Sequence, residues 1–168
     1  MKLTLELVPD ICMLQSLERF LTSKAWNMLR KQTLEECHEQ CAICGASAPP
    51  SLHCHEQWGY DDETHIQRLV RLIMLCPMCH HTKHMSAHGS VTPEELVQHF
   101  IKVNGCSRQE FDAYYQQRSE ERTQRTGGRQ GESLQIWKQD YGEYVSLLAQ
   151  EGNLKRKYRG LNLAIDGF

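Results

Sequence analysis

Apolar and polar residues alternate from Leu3 to Val8 in "LTLELV", a period of two that predicts a strand, closed by Pro9-Asp10. The period then lengthens. Leu17, Phe20 and Leu21, followed by Ala25, Trp26 and Leu29, recur at three- and four-residue steps, predicting helices over residues 13–21 and 23–37 with Ser23 as N-cap of the second. Further on, "LHCHEQW" and "IQRLVRLIML" predict two strands around a turn at Tyr60 to Glu63, although the second stretch also suits a helix by propensity. Thr92, Pro93, Glu95 and Gly105 punctuate a helix whose buried stripe is Leu96, Val97, Phe100 and Ile101. Ser107 and Glu110 repeat the capping box ahead of Phe111, Tyr114 and Tyr115. Residues 118–133 hold no apolar side chain and three glycines, which predicts a mobile loop. Leu134, Trp137, Tyr141, Val145 and Leu148 predict a last amphipathic helix ending near Glu151-Gly152, and the basic stretch "KRKYRG" precedes a strand-like "LNLAI".

These elements divide the chain into an N-terminal strand and helical lead-in (1–40), a cysteine- and histidine-dense core (41–89) and a C-terminal helical extension (90–168). The fold class is α+β, and 168 residues suit one compact domain. A formal charge of −2 argues against binding nucleic acid through the total field, so any such contact must use local patches. The apolar runs fall short of a membrane span, and the start lacks the apolar core of a secretory signal. The expected location is therefore cytoplasmic, where eight cysteines point away from a disulfide framework.

Cysteine spacing says what they do instead. Cys41-x-x-Cys44 and Cys76-x-x-Cys79 form two knuckles around a 31-residue gap, residues 45–75, that accommodates the hairpin. Two thiolates per knuckle make a closed tetrahedral set of soft donors, which selects structural zinc. Cys12, Cys37 and Cys106 are expected to be small buried hydrophobes. His80 and His84 remain, four residues apart on a predicted helix and so on one face, a geometry that grips a second metal. His81 points elsewhere, and His38, His88 and His99 are expected at the surface. Upstream, His53, Cys54 and His55 lie on the first hairpin strand, where a histidine facing such a metal can take a proton from water attacking phosphorus.

The run from Cys41-x-x-Cys44 through "LHCHEQW" to Leu75-Cys76-x-x-Cys79-His80 and Lys83-His84 resembles the zinc-stapled HNH endonucleases of the ββα-metal (His-Me finger) fold, small bacterial or phage type, over about residues 41–88. The resemblance implies a ββα-metal core flanked by helices, with His55 as general base. It also implies a catalytic divalent ion (Mg2+, Mn2+, Ni2+ or Zn2+) on His80 and His84, and DNA, with RNA the other candidate, as substrate.

Two positions depart from the family pattern. Cys54 stands where the family has an aspartate or histidine metal ligand, and Arg71 stands where it has its asparagine. Cys54 can ligate zinc but suits magnesium poorly. His53 can substitute for it, His65 can partly replace the asparagine, or Arg71 can hold a phosphate. A chain lacking the second ion would instead be a non-catalytic zinc-stapled module binding nucleic acid or a protein partner.

Overall fold

The computed structural model describes residues 1–12, 15–47, 51–86, 89–126 and 137–160, and among these the fold is α+β. The helices are α1 (Leu17–Phe20), α2 (Ser23–Glu36), α3 (Pro77–His84), α4 (Pro93–Asn104), α5 (Arg108–Thr126) and α6 (Val145–Leu148). The strands are β1 (His53–Asp61), β2 (Ile66–Leu75) and β3 (Lys138–Asp140), in sheet order β1-β2-β3. No described helix is long and apolar enough to cross a membrane.

The hairpin forms where alternation predicts it, pairing His53 with Leu75 and Asp61 with Ile66 in antiparallel register. Its register shifts between Gln57 and Trp58: Gln57 faces Arg71 but Trp58 faces Leu69, leaving Val70 as the extra residue of a bulge. Beyond the knuckle, α3 starts at Pro77, whose missing N–H costs nothing at a first helical position, with Cys76 as N-cap. The α4 capping box is present with both reciprocal bonds, and Gly105 ends that helix at φ +64°, a left-handed conformation suited to glycine.

Three apolar clusters hold these elements. Leu17, Phe20, Leu21 and Leu29 pack on Leu69, Tyr141, Leu148 and Leu154. Ile73, Met74 and Leu75 gather round the cysteine knuckles. Leu3 and Leu5 are sealed against Val97, Phe100 and Phe111. Burying a leucine contributes roughly 1.5–3 kcal/mol, so the two leucines fasten the N-terminal segment firmly.

Four expectations are corrected. The segment from Leu3 to Val8 is extended but joins no sheet; its Glu6 N–H donates to Lys83 O at 2.7 Å, laying it along α3. The cap of α2 is Thr22, which accepts from Ala25 N, rather than Ser23. Residues 118–126 are the second half of α5, held by polar pairs one turn apart such as Gln116 to Glu120 and Gln117 to Glu121, both 3.0 Å; residues 127–133 lie outside the described residues. The last predicted helix is broken into β3, a 3-10 turn and α6. Asp140 Oδ1 accepts from Gly142 N at 2.8 Å, and Gly142 sits at φ +53°, where a Cβ would lie 3.2 Å from Leu69 O. The predicted "LNLAI" strand, Leu134 and His88 also lie outside the described residues.

Candidate metal centres

The sulfur cluster is built by two tight turns against the end of β2. Ala42 N donates to Met74 O at 2.8 Å, and Gly45 N to Cys41 O at 2.9 Å, so the first knuckle is hung from the strand that leads into the second. Ligand atoms of Cys41, Cys44, Cys76 and Cys79 all lie within 4.8 Å of one another. Cys44 Sγ and Cys76 Sγ are 3.7 Å apart, close to the roughly 3.8 Å edge of a tetrahedron with Zn–S bonds of about 2.3 Å. Hydrogen bonds from Cys76 and Cys79 lower the pKa of Cys41, while the same contacts raise that of Cys79. Cys41 thus ionises readily while Cys76 and Cys79 resist, which is what crowded sulfurs do until a cation neutralises them. The donor set fits a structural ion such as zinc.

His99 belongs to this cluster rather than to the surface. It reaches from α4 to place Nε2 3.2 Å from Cys79 Sγ, tying that helix to the cysteine knuckle.

The histidine cluster begins at the next residue of the same helix. His80 and His84, one turn apart on α3, face His55 on β1, and ligand atoms of the three lie within 4.8 Å of one another. Ring centroids are 5.4 Å apart for His55 and His80, 5.0 Å for His55 and His84, and 5.2 Å for His80 and His84. Burial, followed by the neighbouring imidazoles, drives the pKa of His80 down to about 3. His84 is lowered for the same reasons, with Glu6 opposing. Both rings are therefore neutral and keep a lone pair for a metal.

The cluster is oriented by a residue with no evident chemical mark in the sequence. Glu6 is buried, and Oε2 lies 3.1 Å from His55 Nε2 and 3.4 Å from Lys83 Nζ, while Oε1 accepts from Trp58 N at 3.1 Å, just past the bulge. Burial would raise its pKa, but the His55 hydrogen bond and the charges of His55, Lys83 and His84 outweigh this and lower it. An ionised carboxylate only accepts, so His55 Nε2 donates to it and Nδ1 is the ring nitrogen that Glu6 does not engage. Glu6 O likewise accepts from His84 Nδ1 at 3.0 Å, leaving His84 Nε2 free to ligate. Lys83, itself buried, also donates to Thr4 Oγ1 at 3.2 Å, so the charge pair is enclosed by further hydrogen bonds.

All three histidines and Glu6 line a cavity of about 480 Å3, whose far wall includes Trp26, Trp58 and Glu56. Glu56 Oε1 accepts from Glu18 N at 3.3 Å, while its buried Oε2 has no hydrogen-bond partner. Burial pushes its pKa up to about 7, against backbone hydrogen bonds from Leu17 and Glu18.

The remaining sequence candidates fall outside the histidine group. Cys54 points to the opposite face of β1, packing between two apolar clusters, and burial raises its thiol to about 11 despite a hydrogen bond with Thr33. His53 shares the face of His55 and lies 4.9 Å from the His80 ring, at the exposed rim. Arg71 is exposed and its Nε donates to Gln57 Oε1 at 3.0 Å. His65 packs on Trp137 at 5.5 Å, at the tip of the hairpin. Cys12 is buried as expected, whereas Cys37 and Cys106 are half-buried. Comparisons with protein families, curated proteins and solved structures returned no match.

Proposed function

We propose that the protein is a metal-dependent endonuclease of the HNH, ββα-metal type that hydrolyses phosphodiester bonds in DNA. The observation that supports this best is the convergence of His55, His80 and His84 on a cavity, with His55 held at Nε2 by an ionised, buried Glu6.

In this reading His80 and His84 hold a divalent ion, which supplies charge stabilisation for the phosphate oxygens and the leaving group. His55 takes the proton of the attacking water at Nδ1, and Glu6 stabilises the resulting imidazolium while fixing the ring. Nitrogen donors without a carboxylate at the metal favour Zn2+, Ni2+ or Mn2+ over Mg2+. The four-cysteine zinc keeps β1 and α3 in register.

Supercoiled plasmid incubated with the purified protein and each of these ions tests the proposal. Nicking or cleavage is expected, lost in His80→Ala and in His55→Ala. Metal titration assigns the role of His55: as base, its alanine variant keeps the second ion while losing activity. Cleavage at full rate in His55→Ala would sink the base assignment, and absence of cleavage with every ion would sink the nuclease reading.

A second reading, a non-catalytic zinc-stapled module that binds nucleic acid or a protein, is favoured by Cys54 and Arg71 both lying outside the histidine group. It predicts binding without cleavage.

A further inference from the structure

Five of the ten described arginines have carboxylate partners, Arg118 with Glu121 among them. Arg68 is 2.7 Å from Asp140, Arg108 is 2.9 Å from Glu94, Arg122 is 2.6 Å from Asp10 and Arg125 is 2.7 Å from Asp62. Other unpaired cations, such as Arg30 and Arg71, stand singly, but one region gathers several. Arg19 at the end of α1, and Lys155, Arg156, Lys157 and Arg159 in the segment after α6, form no ion pair among the described residues.

The chain brings these five cations together by backbone bonds. Thr22 N donates to Asn153 O at 2.7 Å and Lys155 N to Phe20 O at 2.9 Å, so the basic segment is strapped across the end of α1. The Phe20 and Tyr158 rings meet edge to face at 5.0 Å underneath it. Lys157 Nζ stands 4.9 Å from the Tyr158 ring centre, and the nearby cations Lys157 and Arg19 lower the Tyr158 pKa against the rise that burial would cause. Arg19, Arg156, Lys157 and Arg159 are exposed, and the acidic residues close by in the chain are Glu18 and Glu151.

The strap also abuts the histidine cavity. Lys155 Nζ donates to Glu18 O at 2.9 Å, and Glu18 is part of the cavity wall. On α2, Trp26 lines the same cavity, and Arg30, one turn further, donates to Leu52 O at 3.1 Å and lowers the pKa of His53 by its charge, after burial. Cations therefore adjoin cavity-lining residues on two elements, Arg30 near Trp26 on α2 and Lys155 of the strap at Glu18. A chain of net charge −2 gathers positive charge locally at the place where a polyanion would have to approach.

We infer that Arg19, Arg156, Lys157 and Arg159 form a contact surface for the sugar-phosphate backbone of a nucleic acid, leading the strand across the histidine cavity. The inference rests on the reading that this cavity handles phosphodiesters. A membrane surface suits the patch less well, because the exposed large apolar residues, Met1, Met28, Val70 and Tyr115, include none from the patch that could serve as an anchor.

The test compares two full-length variants with equal loss of charge: Arg156→Gln/Lys157→Gln/Arg159→Gln, and Lys2→Gln/Lys102→Gln/Lys138→Gln. Fluorescence anisotropy with a fluorescein-labelled mixed-sequence oligonucleotide, single-stranded and duplex, is followed as salt is raised. The first variant is expected to lower the slope of log affinity against log salt by about 0.7–0.9 per cation removed, about 2–3 in all, and to weaken binding by about tenfold or more at physiological salt. The second is expected to match the wild type, with zinc content and melting temperature unchanged in both.

Equal slopes in the two variants would overturn the inference, as would a wild type that binds no oligonucleotide or that prefers phosphatidylserine vesicles. Hydrolysis of bis(p-nitrophenyl) phosphate, a diester too small to need the surface, reads the cavity separately. Its absence alongside a reduced slope would remove the nuclease reading and leave the binding surface standing.

Discussion

The sulfur cluster and the histidine cluster share one eight-residue helix, yet they are built for opposite ends. Cys76 and Cys79 open α3 and meet Cys41 and Cys44, whose knuckle hangs from the end of β2, giving four donors and no vacant direction. His80 and His84 follow in the same helix and look into a cavity, where Glu6, from a distant part of the chain, holds His84 and the facing His55. Closure comes from local spacing, whereas an open site needs support from elsewhere. A metal centre that must admit a substrate cannot satisfy its ligands with one another, so carboxylates and carbonyls behind it hold them.

That contrast can be broken most severely on the sulfur side. Cys79→Ser is expected to lose the structural ion, measured as metal per chain, and to drop the melting temperature by about 10 °C or more, since zinc binding is part of the folding free energy and about 1 kcal/mol moves a chain of this size by 2–4 °C. A variant that kept its melting temperature would show that the knuckles do not staple the hairpin.

Glu6→Ala should cost about 3–5 kcal/mol in urea unfolding, because it leaves Lys83 buried without its counter-ion and His55 without its acceptor. The double variant Glu6→Ala/Lys83→Met is expected to recover much of that stability without recovering activity. Full recovery of activity would remove Glu6 from the orienting role.

A smaller and pH-dependent effect is expected at Glu56, whose pKa rises from 4.5 to about 7 on folding. The folded chain then holds a proton that the unfolded chain releases, so stability falls as pH rises from about 4.5 to 7 and levels off above. Glu56→Gln should flatten this dependence and gain at most on the order of 3 kcal/mol relative to the parent above pH 7. A parent unfolding profile flat across that window would refute the shift.

The smallest stability change is expected for His80→Ala, about 1 kcal/mol or less, because no buried charge or hydrogen bond is known to depend on it. The same variant should lose the second ion in a metal titration, and this pairing of an intact fold with an emptied site is what separates the two clusters. Retention of the second ion would dissolve the distinction.

Much of the core of this picture is legible in the residues. Cysteine spacing, alternation in β1 and β2, and the four-residue step from His80 to His84 are local, and each maps directly onto geometry. Glu6 is not legible, because alternation turns it outward beside Leu5, and its partners His55 and His84 lie 49 and 78 residues away. His99 escapes for the same reason: only the docking of α4 on α3 brings it to Cys79. The second half of α5 carries no apolar period, because charge periodicity sustains it instead. Glu121 lies 3.8 Å from Arg125, and Arg125 then anchors the helix by stacking 4.6 Å over Tyr60 and pairing with Asp62. In 137–148 the aromatic residues are spaced for a helix, but Gly142 and its Asp140 bond win locally.

The Glu6 contacts also set an order of events during synthesis. A ribosome delivers Glu6 first, His55 much later and the α3 residues Lys83 and His84 later still, so the carboxylate has no partner until the hairpin and its following helix have emerged. Closing a contact across that much chain carries a loop entropy that only the assembled hairpin and knuckles offset. The histidine site therefore cannot exist on an incomplete chain that stops short of residue 84, and its assembly reports that the whole central unit has been made and folded.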